Sequence, residues 1–586
     1  MKIKKQLILL AGLLMTISCS NPDKVTTQMP HLKKVGNTTQ LIVDGKPFIM
    51  ISGELHNSSS SSIEYMKDVW KRIEPLNMNT LIASASWDVV EAEEGKYNFK
   101  EIDALIEEAR ARNMKLVLIW FASWKNGNST YAPEWVKTNP NRFPKVVAHD
   151  GRTLDVLSTF HEANREADEK AYLELMKHIK KVDHDNTIIM VQMQNEVGIL
   201  GAERDYSPTA EEAWNSQVPE DLMNYLQQHK GKLFPELEKV WAANGYKTKG
   251  NWEEIFGKSI YPKDYTPDQT GFNGIRGRDS LFYEVFYGLT EEIFMAYHYA
   301  KYMGKIAEAG KKIHNIPVYV NAWLRQPGGS IPGRYPSGGP TPEVLDIYRA
   351  AGPSIDLIAP DIYIEEYDWV LSEYTRSGNP LFIPENTLNA ARALYAFGEY
   401  DALGFAPFGI DGGIGSNRTT PAGLEHLTNT YRILNNMIEV ITSNFGSEKM
   451  RGLIVDQNNP QHTIEMGNFI ITATLRQQRR AINTGQSLEQ IAAENAALAR
   501  QAQEQSSGGA IVLHTDENEF VFVGYGINLQ FRLKDAIKHS TLDIASKDEG
   551  TFIHNVFVPG RRLNGDERGA GLPEQTGAMK VRLYYY

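Results

Sequence analysis

Short apolar runs alternate with amphipathic segments through residues 40–445. The runs are rich in Val, Ile, Leu and Ala, which is typical of parallel strands that are covered on both faces. The segments between them space apolar residues as a helix does. Met66, Val69, Trp70 and Ile73 in a predicted helix over 63–75 are one example. This alternation predicts repeated βα units around a parallel sheet.

Eight candidate strands follow one another in this region, and each ends in polar or aromatic residues. They lie at 48–54, 79–88, 115–124, 187–198, 316–323, 355–363, 380–386 and 402–411. A helix-rich stretch, 199–290, interrupts the rhythm after the fourth strand and predicts a long insertion on the face where the strands end. We therefore predict an α/β fold, a (β/α)8 TIM barrel over 31–445, with the insertion at 199–290 and a Gly/Pro-rich loop at 326–342 on the same face.

Beyond residue 445 the pattern changes to short strands of period two with turn signals between them. Such a texture predicts an antiparallel, β-sandwich-like C-terminal domain over 446–586. Within it, residues 487–505 are rich in Ala, Glu and Gln and carry a thin apolar stripe. A solvated helical excursion between strands is favoured there over a helix that binds a partner.

The N-terminus has the pattern of a lipoprotein signal peptide. Lys2, Lys4 and Lys5 precede an apolar run at 7–17, and Ser18 then precedes Cys19. We expect a signal peptide over 1–19, lipidation of Cys19, and a flexible tether over 20–30. The chain would then be anchored to a membrane at the cell envelope. A plain secretory signal with an incidental cysteine is the alternative.

Composition removes several classes of function. The 586 residues carry a net charge of -11 and have a pI near 5.8, so no basic surface for nucleic acid is indicated. Cys19 is the only cysteine, which excludes an intrachain disulfide and a cysteine-based metal site. Neither a metal nor a cofactor is predicted. The aromatic content of 10% supplies rings on which sugars can stack, although most will be core.

Two carboxylates stand at strand ends. Asn195 and Glu196 close the fourth strand, and Glu385 closes the seventh. Alone, the first pair could simply start a turn, since a second Asn-Glu pair, at 518–519, lies in an ordinary hairpin pattern. In a barrel, however, both strand tips face one cavity. Two opposed carboxyl groups, one ionised and one protonated, are the minimum apparatus for glycoside hydrolysis.

Several motifs at these strand ends resemble one family of enzymes. They are Gly-Glu-Leu-His at 53–56, Trp-Asp at 87–88, Gln-Asn-Glu-Val-Gly at 194–198, Val-Asn-Ala-Trp-Leu at 320–324, Ala-Pro-Asp-Ile-Tyr at 359–363, Phe-Ile-Pro-Glu at 382–385 and Pro-Phe-Gly-Ile-Asp at 407–411. Together they resemble bacterial β-galactosidases of glycoside hydrolase families 35 and 42, which are retaining (β/α)8-barrel enzymes, and the resemblance covers residues 30–445 best.

The resemblance implies roles for individual residues. Glu196 would be the acid/base and Glu385 the nucleophile, with Asn195 on the sugar 2-hydroxyl and Tyr363 hydrogen-bonded to the nucleophile. The subsite for the terminal sugar would be lined by Glu54, Trp87 and Asp88, and an aromatic wall would come from Trp120, Trp124, Trp323 and Phe408. One segment departs from the family. Family-35 enzymes carry Cys-Ala-Glu-Trp after the third strand, where this chain has Ala-Ser-Trp-Lys-Asn at 122–126, which leaves the identity of the sugar open.

We therefore expect a retaining exo-β-galactosidase that acts on oligo- or polysaccharides. The same apparatus on a β-glucoside or an arabinoside, endo cleavage, and a non-catalytic glycan-binding lipoprotein are the alternatives. A carbohydrate is the expected partner, and a homo-oligomer is left open.

Overall fold

The computed structural model describes residues 28–261, 288–325, 331–412, 421–476, 507–535, 540–567 and 569–586. The predicted signal peptide with Cys19, most of the tether, and the helical stretch at 487–505 lie outside the described residues. Among the helices that are described, none combines the length and the apolar character needed to cross a membrane.

Eight parallel strands close into a barrel in the order of the chain. Closure is made by the pairing of Met50 in the first strand with Gly404 in the eighth. The TIM-barrel prediction is confirmed. The strands are β1 (Met50–Glu54), β2 (Thr80–Ser86), β3 (Lys115–Lys125), β4 (Ile188–Asn195), β5 (Val318–Trp323), β6 (Leu357–Ile362), β7 (Phe382–Asn386) and β8 (Gly404–Pro407).

The two faces of the strands bury different cores. Side chains such as Ile82, Phe121 and Tyr319 fill the inside of the barrel. Their neighbours along each strand point outward and pack under the helices in a larger cluster. Because both faces are covered, the strands are continuous apolar runs, which explains why the sequence pattern predicted them. A small antiparallel sheet before β1 (His31–Val35, Thr38–Val43 and Lys46–Phe48) adds Leu41 and Val43 to the inner core.

Helices surround the barrel. The longest, Leu289–Ile313, packs between the helices Glu162–Val182 and Leu345–Ala351. The others are Ile63–Ile73, Trp87–Val90, Lys100–Ala111, Glu134–Lys137, Tyr367–Thr375, Ala390–Tyr400, Pro421–Asn435 and Ile438–Ser443, with short 3₁₀ turns at Ser59–Ser61, Glu74–Leu76, Pro342–Val344 and Arg376–Gly378. A hairpin of Lys145–Val147 and Thr153–Leu157 follows β3.

The insertion after β4 contains the helices Pro208–Asn215, Glu220–Gln228, Pro235–Ala243 and Trp252–Phe256. It is joined to the loop after β5 by a short ladder, in which Ile199 and Ser337 exchange backbone hydrogen bonds of 3.0 and 2.9 Å. Gly198 is required at this junction. Its φ is +139°, and a Cβ on it would lie 2.4 Å from the backbone of Pro336. Both segments follow the C-terminal ends of barrel strands, so they cover that end of the barrel.

The C-terminal region forms two antiparallel sheets around a shared core, which confirms the sandwich-like prediction. One sheet has six strands in the order β9-β12-β13-β17-β15-β16, and the other has three in the order β10-β11-β14. The strands are β9 (Met450–Asp456), β10 (Gln461–Met466), β11 (Phe469–Leu475), β12 (Ser507–Asp516), β13 (Glu519–Tyr525), β14 (Ile527–Leu533), β15 (Leu542–Ile553), β16 (Val556–Arg562) and β17 (Gly577–Tyr585), with a 3₁₀ turn at Gly565–Glu567.

The sandwich is docked on the barrel through the helix Ala390–Tyr400, which packs against β9 and β12. Gly398 lets the two backbones approach, because a Cβ there would lie 2.9 Å from the carbonyl oxygen of Arg451. Beside this contact, Arg451 forms an ion pair of 2.7 Å with Glu399.

Candidate active site

The end of β4 has an unusual backbone. Gln194 and Glu196 have φ values of +62° and +44°, which side chains other than glycine seldom adopt. Hydrogen bonds hold them there. The side-chain oxygen of Gln194 accepts from the backbone N–H of Trp124 at 3.0 Å, and the backbone N–H of Glu196 donates to Oδ1 of Asn321 at 2.9 Å. The neighbouring strands therefore fix the direction in which Glu196 points.

Glu385, at the end of β7, receives a hydrogen bond on each carboxylate oxygen. Nδ2 of Asn195 donates to Oε1 at 3.2 Å, and the hydroxyl of Tyr363 donates to Oε2 at 2.8 Å. Carboxyl oxygens of Glu196, Asp361 and Glu385 all lie within 4.8 Å of one another. The structure thus brings Asn195, Glu196, Tyr363 and Glu385, which lie on three separate strand ends, into one cluster.

Burial and neighbouring charges make Glu196 a weak acid. Burial, first, and then the nearby Glu385 carboxyl group raise its pKa to about 8, against smaller lowering effects of Lys125 and of a hydrogen bond with Asp361. Glu196 is therefore protonated at neutral pH. Glu385 accepts a hydrogen bond on each oxygen, which fixes its orientation beside Glu196. The pair can supply one acid and one nucleophile or base.

Glu54, at the end of β1, is a third acidic group in the cavity. Burial is the main cause that raises its pKa well above the usual value, and Glu385 adds to the effect. Neither of its carboxyl oxygens has a hydrogen-bond partner among the described residues. Oδ1 of Asp88 is likewise buried without one among those residues. Of the two, Glu54 interacts with the carboxyl pair and is available to the hydroxyls of a bound sugar.

Lys125 was missed by the sequence reasoning. It ends β3, is 8% exposed, and its ammonium group donates to Oδ1 of Asn195 at 2.8 Å. Its charge lowers the pKa of both Glu54 and Glu196. The sequence did single out the segment that contains Lys125, because that segment departs from the family. The position of Lys125 in the cavity, however, depends on an irregular register between Trp120 and Lys125 in the β3–β4 ladder.

Asn321 and Asp361 were also missed as individual residues, although the motifs that contain them were recognised. Asn321 bridges two strand ends, since its Oδ1 accepts from Glu196 and its Nδ2 donates to Oδ2 of Asp361 at 2.6 Å. The sequence contained an indication of both residues: each is a polar residue within an apolar strand, two positions before Trp323 in β5 or Tyr363 directly after β6.

The predicted aromatic lining is wrong for three tryptophans. Trp87, Trp120 and Trp124 belong to the outer core between strands and helices, not to the cavity. Their indole N–H groups donate to Glu91, Asp168 and the carbonyl of Leu157, respectively. The side chains of Trp120 and Trp124 lie on the helix-facing side of β3, and Trp87 begins the helix after β2.

Two aromatic residues remain as lining candidates. Trp323 is half-buried at the end of β5, on the same side of the strand as Asn321. Phe408 is half-buried directly after β8 and meets the ring of His56 edge-on at 5.3 Å. His56 is in turn held by Asp411, whose Oδ1 lies 2.6 Å from its Nδ1.

A (β/α)8 barrel that presents two neighbouring buried carboxyl groups at the ends of β4 and β7 has the arrangement of a glycoside hydrolase. The family model for glycosyl hydrolases family 35 matches residues 40–272 of the chain. The predicted resemblance is thereby confirmed on its family-35 side. Glu196 lies inside the matched residues and Glu385 outside them. Residues 427–573 match a second model, described as a domain of unknown function (DUF5597).

Among curated proteins, the chain is 27% identical over 207 residues to the beta-galactosidase of Xanthomonas manihotis, a match that covers 34% of this chain and 32% of the relative. It is 26% identical over 202 residues to beta-galactosidase 13 of Arabidopsis thaliana, covering 32% of this chain and 22% of that one. The chain therefore spans a third or less of these relatives. A solved beta-galactosidase from Bacillus circulans sp. alkalophilus has a TM-score of 0.41 at 16% identity, covering 67% of this chain and 57% of that one.

Proposed function

We propose that this protein is a retaining exo-β-galactosidase that removes terminal β-galactosyl residues from oligo- or polysaccharides by double displacement. The observation that carries the proposal is the placement of Glu196 and Glu385. One carboxyl oxygen of Glu196 lies within 4.8 Å of one carboxyl oxygen of Glu385, so the two groups are close neighbours. Retaining enzymes hold the two groups roughly 5–5.5 Å apart, whereas inverting enzymes need roughly 6.5–9.5 Å to admit a water molecule.

In the first step, the Glu385 carboxylate attacks the anomeric carbon. The bond from that carbon to the glycosidic oxygen breaks, and the leaving oxygen takes the proton of Glu196. A glycosyl ester of Glu385 results. In the second step, water attacks the same carbon and gives a proton to Glu196, and Glu385 is released as a carboxylate. Two inversions leave the configuration unchanged.

Neighbouring residues set the protonation of Glu196 and the orientation of Glu385. Glu196 has its pKa raised to about 8 by burial and by the charge of Glu385, so it carries the proton needed in the first step. Asn195 and Tyr363 hold both oxygens of Glu385 and thereby orient it. Asn195 is in turn held by Lys125. The 2-hydroxyl of the sugar can then reach Asn195 while the nucleophile attacks.

Exo action is supported by the loops over the strand ends. The insertion after β4 and the loop after β5 are joined by the ladder between Ile199 and Ser337, which favours a closed pocket over an open cleft. Galactose as the sugar is taken from the names of the relatives. The segment at 122–126, with Lys125, keeps a β-glucoside or an arabinoside as a second candidate, because it differs from family-35 enzymes close to the nucleophile.

The proposal is tested with a panel of aryl β-galactosides, β-glucosides and arabinosides. We expect the wild type to prefer the galactoside, and Glu385→Gln to lower kcat/KM by at least about 10³-fold, the scale on which the loss of a nucleophile acts. Glu519→Gln is a matched control, because Glu519 follows an asparagine as Glu196 does but begins β13 of the sandwich. It should leave activity unchanged.

Glu196→Ala separates the two steps. An aryl leaving group that departs without protonation should keep its kcat/KM, while kcat falls because water lacks a base. Azide should restore turnover and yield the β-glycosyl azide. Full activity of Glu385→Gln would refute the nucleophile, and an α-anomer as first product would refute retention. Turnover of polysaccharide but of no aryl glycoside would favour endo cleavage, and no turnover at all would favour a glycan-binding protein.

A further inference from the structure

Asp361 is a fourth acidic group in the cavity, after Glu54, Glu196 and Glu385, and the double displacement assigns it no part. It lies in β6 opposite Glu385 of β7, and its carboxyl oxygen lies within 4.8 Å of those of Glu196 and Glu385. It is 3% exposed. A carboxyl group buried this close to two others needs a reason to be there, because three ionised carboxylates at this separation repel one another strongly.

The hydrogen bonds around Asp361 show where its proton lies. Oδ2 accepts from Nδ2 of Asn321 at 2.6 Å, so Oδ2 is an acceptor. Oδ1 is buried and receives no donor from the described residues. A carboxyl oxygen of Glu196 lies within 4.8 Å of one of Asp361, and a hydrogen bond between the two side chains lowers the pKa of Glu196 and raises that of Asp361. Two carboxyl groups can share such a contact only if a proton lies between them.

We infer that Asp361 is a positioning residue, held as a neutral carboxylic acid whose Oδ1–H donates a hydrogen bond to the carboxyl group of Glu196. The inference rests on the proposed role of Glu196. The hydrogen bond orients Glu196 toward the glycosidic oxygen and stabilises the carboxylate that Glu196 becomes once the leaving group has taken its proton. The proton of Asp361 stays on Asp361 throughout, and attacking water restores the proton of Glu196.

The charges around Asp361 agree with a neutral acid. Burial, first, and then the neighbouring Glu385, Glu196 and Glu54 raise its pKa well above the usual range. The phenols that face it, Tyr319, Tyr363 and Tyr374, all have raised pKa values and stay neutral. Lys125, the cation of the cavity, donates its hydrogen bond to Asn195 instead.

Two substitutions distinguish a neutral acid from a carboxylate. In Asp361→Asn, the amide can still accept from Asn321 and donate N–H to Glu196, which reproduces the pattern of the neutral acid. Asp361→Ala removes both hydrogen bonds. We expect Asp361→Asn to keep kcat/KM within about threefold of wild type on substrates with poor leaving groups, and Asp361→Ala to lower it about 10- to 100-fold, as for loss of a hydrogen bond to a charged group.

The pH profile and the leaving group report positioning rather than folding. Asp361→Asn should keep the alkaline limb of kcat/KM at the wild-type pH. Asp361→Ala should move it to higher pH, because the Glu196 carboxylate loses its donor, and should lose little on leaving groups that need no proton. Equal damage by both substitutions, or a wild-type profile in Asp361→Ala, would overturn the inference. If Asp361→Ala does not fold, the activity and pH profile of Asp361→Asn alone decide.

A readout independent of turnover is infrared spectroscopy at neutral pH. The difference spectrum between wild type and Asp361→Asn should contain the carbonyl band of a protonated carboxylic acid, and a carboxylate band in its place would overturn the inference. A wild type that hydrolyses no glycoside would refute the proposed function, whereas the infrared result would still decide the protonation of Asp361.

Discussion

Because its pKa is raised on folding, Glu196 should lower the free energy of unfolding at neutral pH, and replacing it should stabilise the protein. Burial raises the pKa of Glu196 from 4.5 to about 8. Above pH 4.5 the unfolded chain releases this proton, whereas the folded chain retains it up to about pH 8. The unfolded state therefore gains free energy from ionisation that the folded state does not, and stability falls as pH rises through this window.

The size of the effect follows from about 1.36 kcal/mol for each pH unit. At pH 7, the interval from 4.5 is 7 − 4.5 = 2.5 units, which gives about 3 kcal/mol. When partial ionisation near each pKa is included, the effect is about 1 kcal/mol at pH 5 and about 4 kcal/mol at pH 8, where the folded-state group is itself half ionised. Gln has nearly the same shape as Glu and does not ionise in either state. Glu196→Gln should therefore be more stable than wild type by these amounts.

Thermal unfolding of the barrel at pH 5, 7 and 8 is the assay. At about 2 °C for each kcal/mol, the lower end of the range for large domains, the variant should melt about 6 °C higher than wild type at pH 7 and by a smaller margin at pH 5. Glu519→Gln, in the sandwich, is the control and should show no such trend. A variant whose advantage does not grow between pH 5 and pH 8, or which is less stable at pH 8, would refute the raised pKa of Glu196.

Two further predictions concern residues outside the carboxyl pair. Lys125→Met should lower kcat about tenfold, because Asn195 loses its hydrogen-bond donor. It should also move the alkaline limb of kcat/KM to higher pH, because removing the cation raises the pKa of Glu196 further. Lys96→Met, which removes an exposed ion pair, is the control and should change neither quantity. Cys19→Ser should convert a protein that partitions into detergent into a soluble one when expressed in a bacterium that processes lipoproteins, whereas unchanged partitioning would favour the plain secretory signal.

The barrel could be predicted from the sequence because each strand is covered on both faces and reads as an apolar run ending in polar residues. The strand ends differ from the predicted ones by up to four residues, as in β8, which ends at Pro407 instead of Asp411. The aromatic lining could not be predicted in the same way. Strand periodicity gives two faces but does not say which one meets the cavity, and an irregular register near Trp124 changes the alternation. Trp120 and Trp124 were consequently placed on the wrong side, whereas Trp87 begins the helix Trp87–Val90 instead of ending a strand.

The same limit explains why Lys125, Asn321 and Asp361 escaped notice while Glu196 and Glu385 did not. A glutamate at a strand end has an interpretation by itself, since the barrel directs strand ends to one cavity. The role of Asp361 exists only in combination, because it depends on the amide of Asn321 at one oxygen and on Glu196 at the other. Lys125 likewise matters through Asn195, which passes its orientation on to Glu385. The properties of the acid and the nucleophile thus depend on neighbouring residues in β3, β5 and β6. These neighbours, Lys125, Asn321 and Asp361, are far apart in the sequence. Exchanging Asp361 for alanine should therefore alter the acid without touching the nucleophile, and exchanging Lys125 should disturb both.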